Sequence, residues 1–410
     1  MNDSAVTLER IEDAARSLAG VAQHTPLDHA SYLSGLLGVP TYMKLENLQR
    51  TGSFKLRGAT YRLSQLSDDE KRRGVVAASA GNHAQGVAFA AQQLGIDATV
   101  FMPRGAPVPK LLATKGYGAT VITEGDTVEE CLALAEDFAQ RTGALMIHPF
   151  DHPDVIAGQG TIGLEIMADV PDVQTIVVPV GGGGLIGGIA VAVKSIAAAR
   201  GTKVRVVGVQ AAASAAFPPS LDAGMPVTIE RSATIADGIA VARPGNITFP
   251  LVRNFVDEIV TVDEDHLARA VLTLLERTKL VVEPGGAAGV AAILNGLIAP
   301  TGPALVLLSG GNIDPLLLQR IIGHGLVASG RYMTLRIPLP DRPGQLARVS
   351  DVLAAAGANV TEVLHTRHDL GLRLNDVVLQ VSVETRGPNH QHDVLTALRS
   401  AGFEPEVAVA

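Results

Sequence analysis

The sequence predicts an α/β protein with helices packed on largely parallel sheets, followed by a smaller unit in the order β-α-β-β-α-β. Three observations carry this prediction. Short β-branched runs alternate with Ala- and Leu-rich stretches from Val75 onward, the pattern of strands joined by helical crossovers. Several of those runs end directly in glycine, at Ser79-Ala-Gly81, Pro179-Val-Gly181 and Ser309-Gly-Gly311. Beyond Ile322 the pattern changes to longer strands flanking two helical segments, which is the ferredoxin-like order.

Taken in order, the predicted strands are 75–79, 98–102, 119–123, 175–179, 204–209 and 304–308, each rich in Val, Ile, Leu or Ala. In open parallel sheets ligands bind beyond the carboxyl ends of strands, so the glycines that follow these runs point to one cleft. Gly323-His-Gly-Leu-Val-Ala-Ser-Gly330 is made of small residues and reads as a linker. After it come a strand at 333–339, a turn at Asp341-Arg-Pro-Gly344, a helix at 345–356, strands at 359–365 and 376–384, a helix near 392–400 and a last strand near Glu404. The expected division is a catalytic region at 1–322, with a smaller subdomain at about 46–150 inserted in the larger one, a linker at 323–331 and a C-terminal domain at 332–410.

Composition narrows the classes. A hydrophobic fraction of 47% with only 3% aromatics and no Trp requires an aliphatic, closely packed core. The net charge of -8 without a long basic run argues against a nucleic-acid partner, whose phosphates would be repelled. The single cysteine, Cys131, excludes an intrachain disulfide and fits a reducing cytoplasm. The first residues lack a basic segment followed by an apolar one, so no secretory signal is expected. Uncharged stretches at 173–193 and 284–313 are long enough to span a bilayer, but their Pro and clustered Gly would leave backbone groups unpaired in lipid. They read as strand, loop and helix of a core, and no membrane partner is expected.

The chemistry gathers in loops. In Thr51-Gly-Ser-Phe-Lys-Leu-Arg-Gly58, Lys55 stands beside apolar residues. Desolvation there favours the neutral amine, which attacks aldehydes. Val180 is followed by Gly181, Gly182, Gly183, Gly184 and Leu185 and then by an apolar helix, an arrangement whose free N–H groups and helix dipole bind phosphate. The same loop matches G-x-G-x-x-G through Gly182, Gly184 and Gly187. A dinucleotide site also needs an acidic residue at the end of the next strand, where this chain has Gln210. Ser79-Ala-Gly-Asn-His-Ala-Gln-Gly86 joins a strand to a helix, where Asn82 and nearby N–H groups suit a carboxylate or a ring hydroxyl. His83 is better read as support for this turn than as a reacting group. Ser309 places a neutral hydroxyl at the end of another strand, with helix capping as its alternative.

Together these segments resemble the fold type II PLP enzymes, and within them the threonine/serine dehydratase family. Glu46 to Gly58, Ser79 to Gly86, Ile156-Ala-Gly-Gln-Gly-Thr-Ile-Gly163, the tetraglycine, Ala236-Asp-Gly238 and Ser309 to Asp314 carry the resemblance over residues from about 20 to 320, and several motifs in order make it specific. It implies two open twisted sheets with pyridoxal 5'-phosphate between them. It implies Lys55 as the Schiff-base lysine, Phe54 against the cofactor, Asn82 on the ring hydroxyl, Gly181 to Leu185 around the phosphate and Ser309 facing the pyridine nitrogen. Ser79, Ala80, Gly81, Asn82 and His83 would meet the substrate carboxylate. The implied reaction is the conversion of L-threonine to 2-oxobutanoate and ammonia, and of L-serine to pyruvate.

The alternatives are a serine racemase or a 3-hydroxyaspartate dehydratase and, more distantly, an NAD enzyme or an amino-acid sensor without catalysis. Related racemases have serine where this chain has Ala80, and alanine takes no proton. Gln210 and Ala216 stand where a cation site in some relatives has carboxylates, so no metal is expected. Asp341 to Leu346 and Gly357-Ala-Asn359 resemble an ACT domain. Gly344, Gln345, Leu346 and Asn359 are its candidate effector residues for isoleucine or valine; dimerisation without a ligand is an equal alternative. A dimer or tetramer is expected, and an isoleucine-pathway role and a catabolic one stay open.

Overall fold

The computed structural model describes residues 6–230, 232–367 and 376–408. Two units divide at Leu318 and Gln319. In the first, the strands are β1 (Leu27–His29), β2 (Thr41–Leu45), β3 (Val75–Ala78), β4 (Ala98–Met102), β5 (Thr120–Thr123), β6 (Leu145–Met146), β7 (Thr175–Pro179), β8 (Arg205–Ala211), β9 (Glu258–Val262) and β10 (Ala304–Leu308). Among the described residues they form two sheets, in the orders β1-β2-β10-β7-β8-β9 and β5-β4-β3-β6. Pairing is parallel throughout except between β1 and β2. The smaller sheet is built from chain between β2 and β7, so its helices return the chain to the larger sheet.

The predicted strands all appear, with ends shifted by a residue or two. The short β1 and β6 and the more polar β2 and β9 escaped the reading because they lack long apolar runs. The central strands β7 and β10 are buried along their whole length, as parallel strands covered on both faces must be. Their Val, Ile and Leu side chains join the helix Gly184–Ala199 in one core. A second core lies between the smaller sheet and the helices Lys55–Ser64 and Asn82–Leu94. Cys131 is buried on the helix Val128–Thr142, as expected of a core residue.

One helix sets the spacing of two others that carry candidate site residues. Pro153–Asp169 packs against Lys55–Ser64 so closely that a methyl on Gly158 would lie 2.6 Å from the Gly58 Cα. On its other side a methyl on Gly160 would lie 2.9 Å from the Gly188 carbonyl oxygen, on the helix Gly184–Ala199. Both distances are well inside contact range, so backbone touches backbone and no side chain intervenes. Glycine is required here for close approach.

In the second unit β11 (Tyr332–Pro340), β12 (Asn359–Thr366), β13 (Asp376–Glu384) and β14 (Glu406–Val407) form an antiparallel sheet in the order β12-β13-β11-β14. Helices Gln345–Ala355 and Pro388–Ser400 complete the predicted order. Their apolar faces meet Leu335, Ile337, Leu379 and Val381 in a separate core. The expected linker at 323–331 is corrected: the helix Pro315–Ala328 runs through most of it. Its Leu, Ile and Val residues outweigh Gly323 and Gly325, since a helical glycine costs only about 1 kcal/mol. The stretches considered for membrane crossing resolve into strand, loop and helix. Among the described residues no helix is long and apolar enough to cross a membrane.

Candidate active site

Lys55 opens its helix directly after Phe54. The loop before it is stitched to the end of β10. The Phe54 N–H donates to the Ser309 carbonyl at 3.1 Å, the Gly311 N–H donates to the Gly52 carbonyl at 2.8 Å, and Ser53 and Gly310 form an antiparallel bridge. This backbone pairing brings two motifs separated by more than half the chain side by side. Gly86 lets the helix Asn82–Leu94 approach the Lys55 backbone, where a methyl would come within 3.1 Å of its carbonyl.

The Lys55 ammonium donates to the Pro149 carbonyl at 2.8 Å and lies 5.3 Å from the centre of the Phe54 ring. Burial lowers its pKa to about 8, with Glu283 pulling the other way. A lysine shifted this far is a much better nucleophile and base near neutral pH than an exposed one.

The tetraglycine follows β7, and Gly183, at φ 96°, caps the helix that starts at Gly184. Side chains could not be added here. A methyl at Gly182 would enter the Phe150 ring, one at Gly183 would lie 2.7 Å from Phe217 Cζ, and one at Gly184 would lie 2.8 Å from the Phe150 carbonyl oxygen. The Thr248 hydroxyl donates to the Gly182 carbonyl at 2.6 Å, and Asp151 accepts the N–H groups of Asn246, Ile247 and Thr248. The loop is therefore a held cradle at a helix N-terminus, suited to a phosphate.

A cavity of about 830 Å³ contains Phe54, Lys55, Ser79 to His83, Gly181 to Leu185 and Ser309 on its walls. It thus brings together the cofactor and carboxylate residues named from the sequence. Gly344, Gln345, Leu346 and Asn359 belong to the second unit, on the turn before its first helix, in that helix and at the start of β12. His83 is buried, with its ring nitrogen Nε2 2.8 Å from the Ile147 carbonyl oxygen. Burial, then the Lys55 charge, lower its pKa to about 3, so it stays neutral. Ser309 lies six residues ahead of the helix at Pro315 and is not that helix's cap.

Lys110, Asp237 and Glu283 line the cavity without a role read from the sequence. Lys110 forms an ion pair with Asp237 at 2.7 Å, and a methyl on Gly81 would lie 3.8 Å from Lys110 Nζ. Glu283 is buried and accepts from Asn82 Nδ2 at 2.7 Å. Burial, then the nearby Asp237, push its pKa up to about 7. Its one signal was a carboxylate preceding a Pro that opens a long uncharged stretch. Among the described residues no cluster of metal-ligating side chains occurs. The Gln210 side chain, buried at the end of β8, accepts from the Phe217 N–H at 3.0 Å instead.

Residues 18–310 match the family model described as "Pyridoxal-phosphate dependent enzyme", and residues 333–403 match that of the ACT domain. The chain is 47% identical over 402 residues to an L-threonine ammonia-lyase of Thermotoga maritima, covering 98% of this chain and 99% of that protein. It is 45% identical over 324 residues to the catabolic L-threonine dehydratase TdcB of Escherichia coli K12, covering 78% and 97%. Among solved structures it resembles processed threonine deaminase isoform 2 of Solanum lycopersicum, with a TM-score of 0.73 at 37% identity over 77% of this chain and 87% of that one. Maize serine racemase gives a TM-score of 0.73 at 33% identity, covering 79% and 99%.

Proposed function

The chain belongs to the pyridoxal-phosphate dependent enzymes, with an ACT domain after its catalytic region, and from that premise we propose an assignment of its residues to the deamination of L-threonine. It is a carbon–nitrogen lyase that converts L-threonine to 2-oxobutanoate and ammonia, with pyridoxal 5'-phosphate as cofactor. The observation that carries the assignment is the backbone pairing of Phe54, the residue before Lys55, with Ser309, beside a cavity that Lys55, Ser309 and the glycine cradle all line.

The residues fit the cofactor: a side chain at Gly182, Gly183 or Gly184 would collide with Phe150, Phe217 or Thr248, so the loop's backbone stays bare, and the cavity offers a lysine poised to lose its proton. Gly181, Gly182, Gly183, Gly184 and Leu185 would hold the phosphate, Asn82 the ring hydroxyl, Ser309 the ring nitrogen and Phe54 a ring face. Lys55 would form the covalent link. When bound, pyridoxal phosphate supplies an electron sink for charge developed at the substrate Cα.

The protein's own groups do the rest. Ser79, Ala80, Gly81, Asn82 and His83 surround the N-terminus of a helix, where N–H groups and the helix dipole attract the substrate carboxylate. With cofactor and substrate bound, Lys55 Nζ would serve as the base that takes the α-proton; its lowered pKa leaves a useful neutral fraction near pH 8. Ser309 is a neutral partner that leaves the ring nitrogen less charged than a carboxylate would, favouring early loss of the β-hydroxyl. Ala80 bears no group able to return a proton, which favours elimination over racemisation.

L-Serine is a second substrate on this reading, and isoleucine or valine acts through Gly344, Gln345, Leu346 and Asn359. The working form is a homo-oligomer in the cytoplasm. Incubation of the purified, cofactor-loaded protein with L-threonine, with 2-oxobutanoate as readout, tests the assignment. No keto acid from threonine would sink it.

A further inference from the structure

Asn82 is the end of a chain of amides whose orientation is set from both sides. Asn312 Nδ2 donates to the Thr51 carbonyl at 2.8 Å and to Asn82 Oδ1 at 2.7 Å. Both of its hydrogens are then used, so Asn82 must present its oxygen to Asn312. Its nitrogen is thereby turned to Glu283 Oε1, at 2.7 Å. An ionised carboxylate only accepts, so it holds Asn82 in the same sense. One Asn82 N–H remains for the cavity.

We propose that Glu283 is a positioning residue for the deamination: its carboxyl group anchors this run of oriented amides and holds Asn82 as a hydrogen-bond donor toward the cofactor ring. The proposal rests on the reading of Asn82 given above. The packing around Glu283 shows that its place is specified. A methyl on Gly310 would collide with Oε1, and one on Gly238 would lie 3.4 Å from it. The Glu283 N–H donates to the Gly310 carbonyl at 3.0 Å, so the loop that follows Ser309 is bound to Glu283 as well as to Gly52.

A carboxyl buried without a cationic hydrogen-bond partner is costly, and a mere cap for the following helix would not need it, since Glu283 makes no side-chain cap bond there. The charged groups facing it are Asp237, which raises its pKa, and Lys110 and Lys55, which lower it, with Asn82 as the neutral partner. Burial exceeds all of these, so Glu283 changes charge near pH 7. When protonated it stops being a pure acceptor, Asn82 is held in its sense from the Asn312 side alone, and the ring contact weakens.

The test is a pH titration of the visible absorbance of the cofactor-loaded protein, wild type beside Glu283→Gln, with kcat and KM for threonine measured on both. Glutamine keeps the size and an acceptor oxygen but does not ionise. The wild type is expected to show a spectral step with a midpoint of about 7 that the variant lacks. In the variant kcat falls roughly 10- to 100-fold, the range for outer partners that orient a reacting group, while KM stays within about threefold. A wild-type spectrum without that step overturns the proposal even where the variant fails to fold. So does a variant that keeps both the step and the wild-type kcat. A wild-type protein that loads cofactor but makes no 2-oxobutanoate leaves the spectral result intact and overturns the threonine reading alone. One that does neither overturns both.

Discussion

The backbone N–H of Phe54 donates to the carbonyl oxygen of Ser309 at 3.1 Å, which couples the residue beside Lys55 to the residue at the end of β10. The proposed covalent anchor of the cofactor and its ring-nitrogen partner are therefore registered through the main chain, whatever their side chains do.

Replacing Lys55 with alanine removes both the proposed anchor and the proposed base while leaving this backbone pairing in place. Turnover of threonine is expected to fall by at least about a thousandfold, with the melting temperature of the cofactor-free protein little changed. Steady-state 2-oxobutanoate formation and a thermal melt check the two halves separately.

Gly183→Ala places a methyl 2.7 Å from Phe217 Cζ at a φ of 96°. Overpacking and backbone strain together are expected to cost about 2–4 kcal/mol. Cofactor affinity should fall with stability, because the strained atoms belong to the cradle itself. Urea unfolding and a cofactor titration measure the two effects.

Acid should destabilise the cofactor-free protein in part through His83. Its folded pKa of about 3 lies below the ordinary 6.5, so the unfolded chain binds the extra proton first. Stability is unaffected above pH 6.5 and falls as the pH drops toward 3, with a slope approaching about 1.4 kcal/mol per pH unit. Glu283, with its pKa raised from 4.5 to about 7, opposes this between those values, because the folded state holds its proton there. His83→Gln is expected to flatten the acid limb, read as the urea midpoint against pH.

Lys110 stands beside Gly81 and the start of the helix proposed to take the substrate carboxylate. Lys110→Met removes the charge and leaves Asp237 unpaired near the entrance. KM for threonine is expected to rise about tenfold, with kcat within about threefold. A substrate-saturation series decides it.

In the second unit, Leu346 is exposed on the first turn of the helix that follows Gly344. Isoleucine or valine is expected to shift the threonine saturation curve of the full chain, and Leu346→Asp to abolish that shift. Unchanged curves for the unsubstituted protein with either amino acid would reject an effector role.

Much of this architecture was legible in the residues because parallel, doubly covered strands advertise themselves: β7 and β10 are unbroken apolar runs ending in glycine. The tetraglycine stands out as a candidate phosphate loop because four bare residues beside a buried strand bring no packing return, and Lys55 becomes a candidate only in the company of the loops at other strand ends. Glu283 was not, since a lone carboxylate acquires meaning only when Asn82 and Gly310, far away in the chain, fold against it. Lys110 and Asp237 are likewise ordinary charges until they meet at 2.7 Å. The helix through 323–328 escaped because small residues disguise a helix whose apolar side chains determine its state.

The glycine contacts of Pro153–Asp169 with its two neighbours make the thickness of bare backbone the ruler of this enzyme. The helix that Lys55 opens and the helix that follows the tetraglycine are gauged against the same central rod, through Gly58 on one flank and Gly188 on the other. The cavity walls at Leu132, Ser232, Ala233 and Thr234 carry side chains that can be exchanged one at a time. The gap between the two proposed anchorages of the cofactor is closed to such drift, because no replacement for either glycine pair is smaller than nothing.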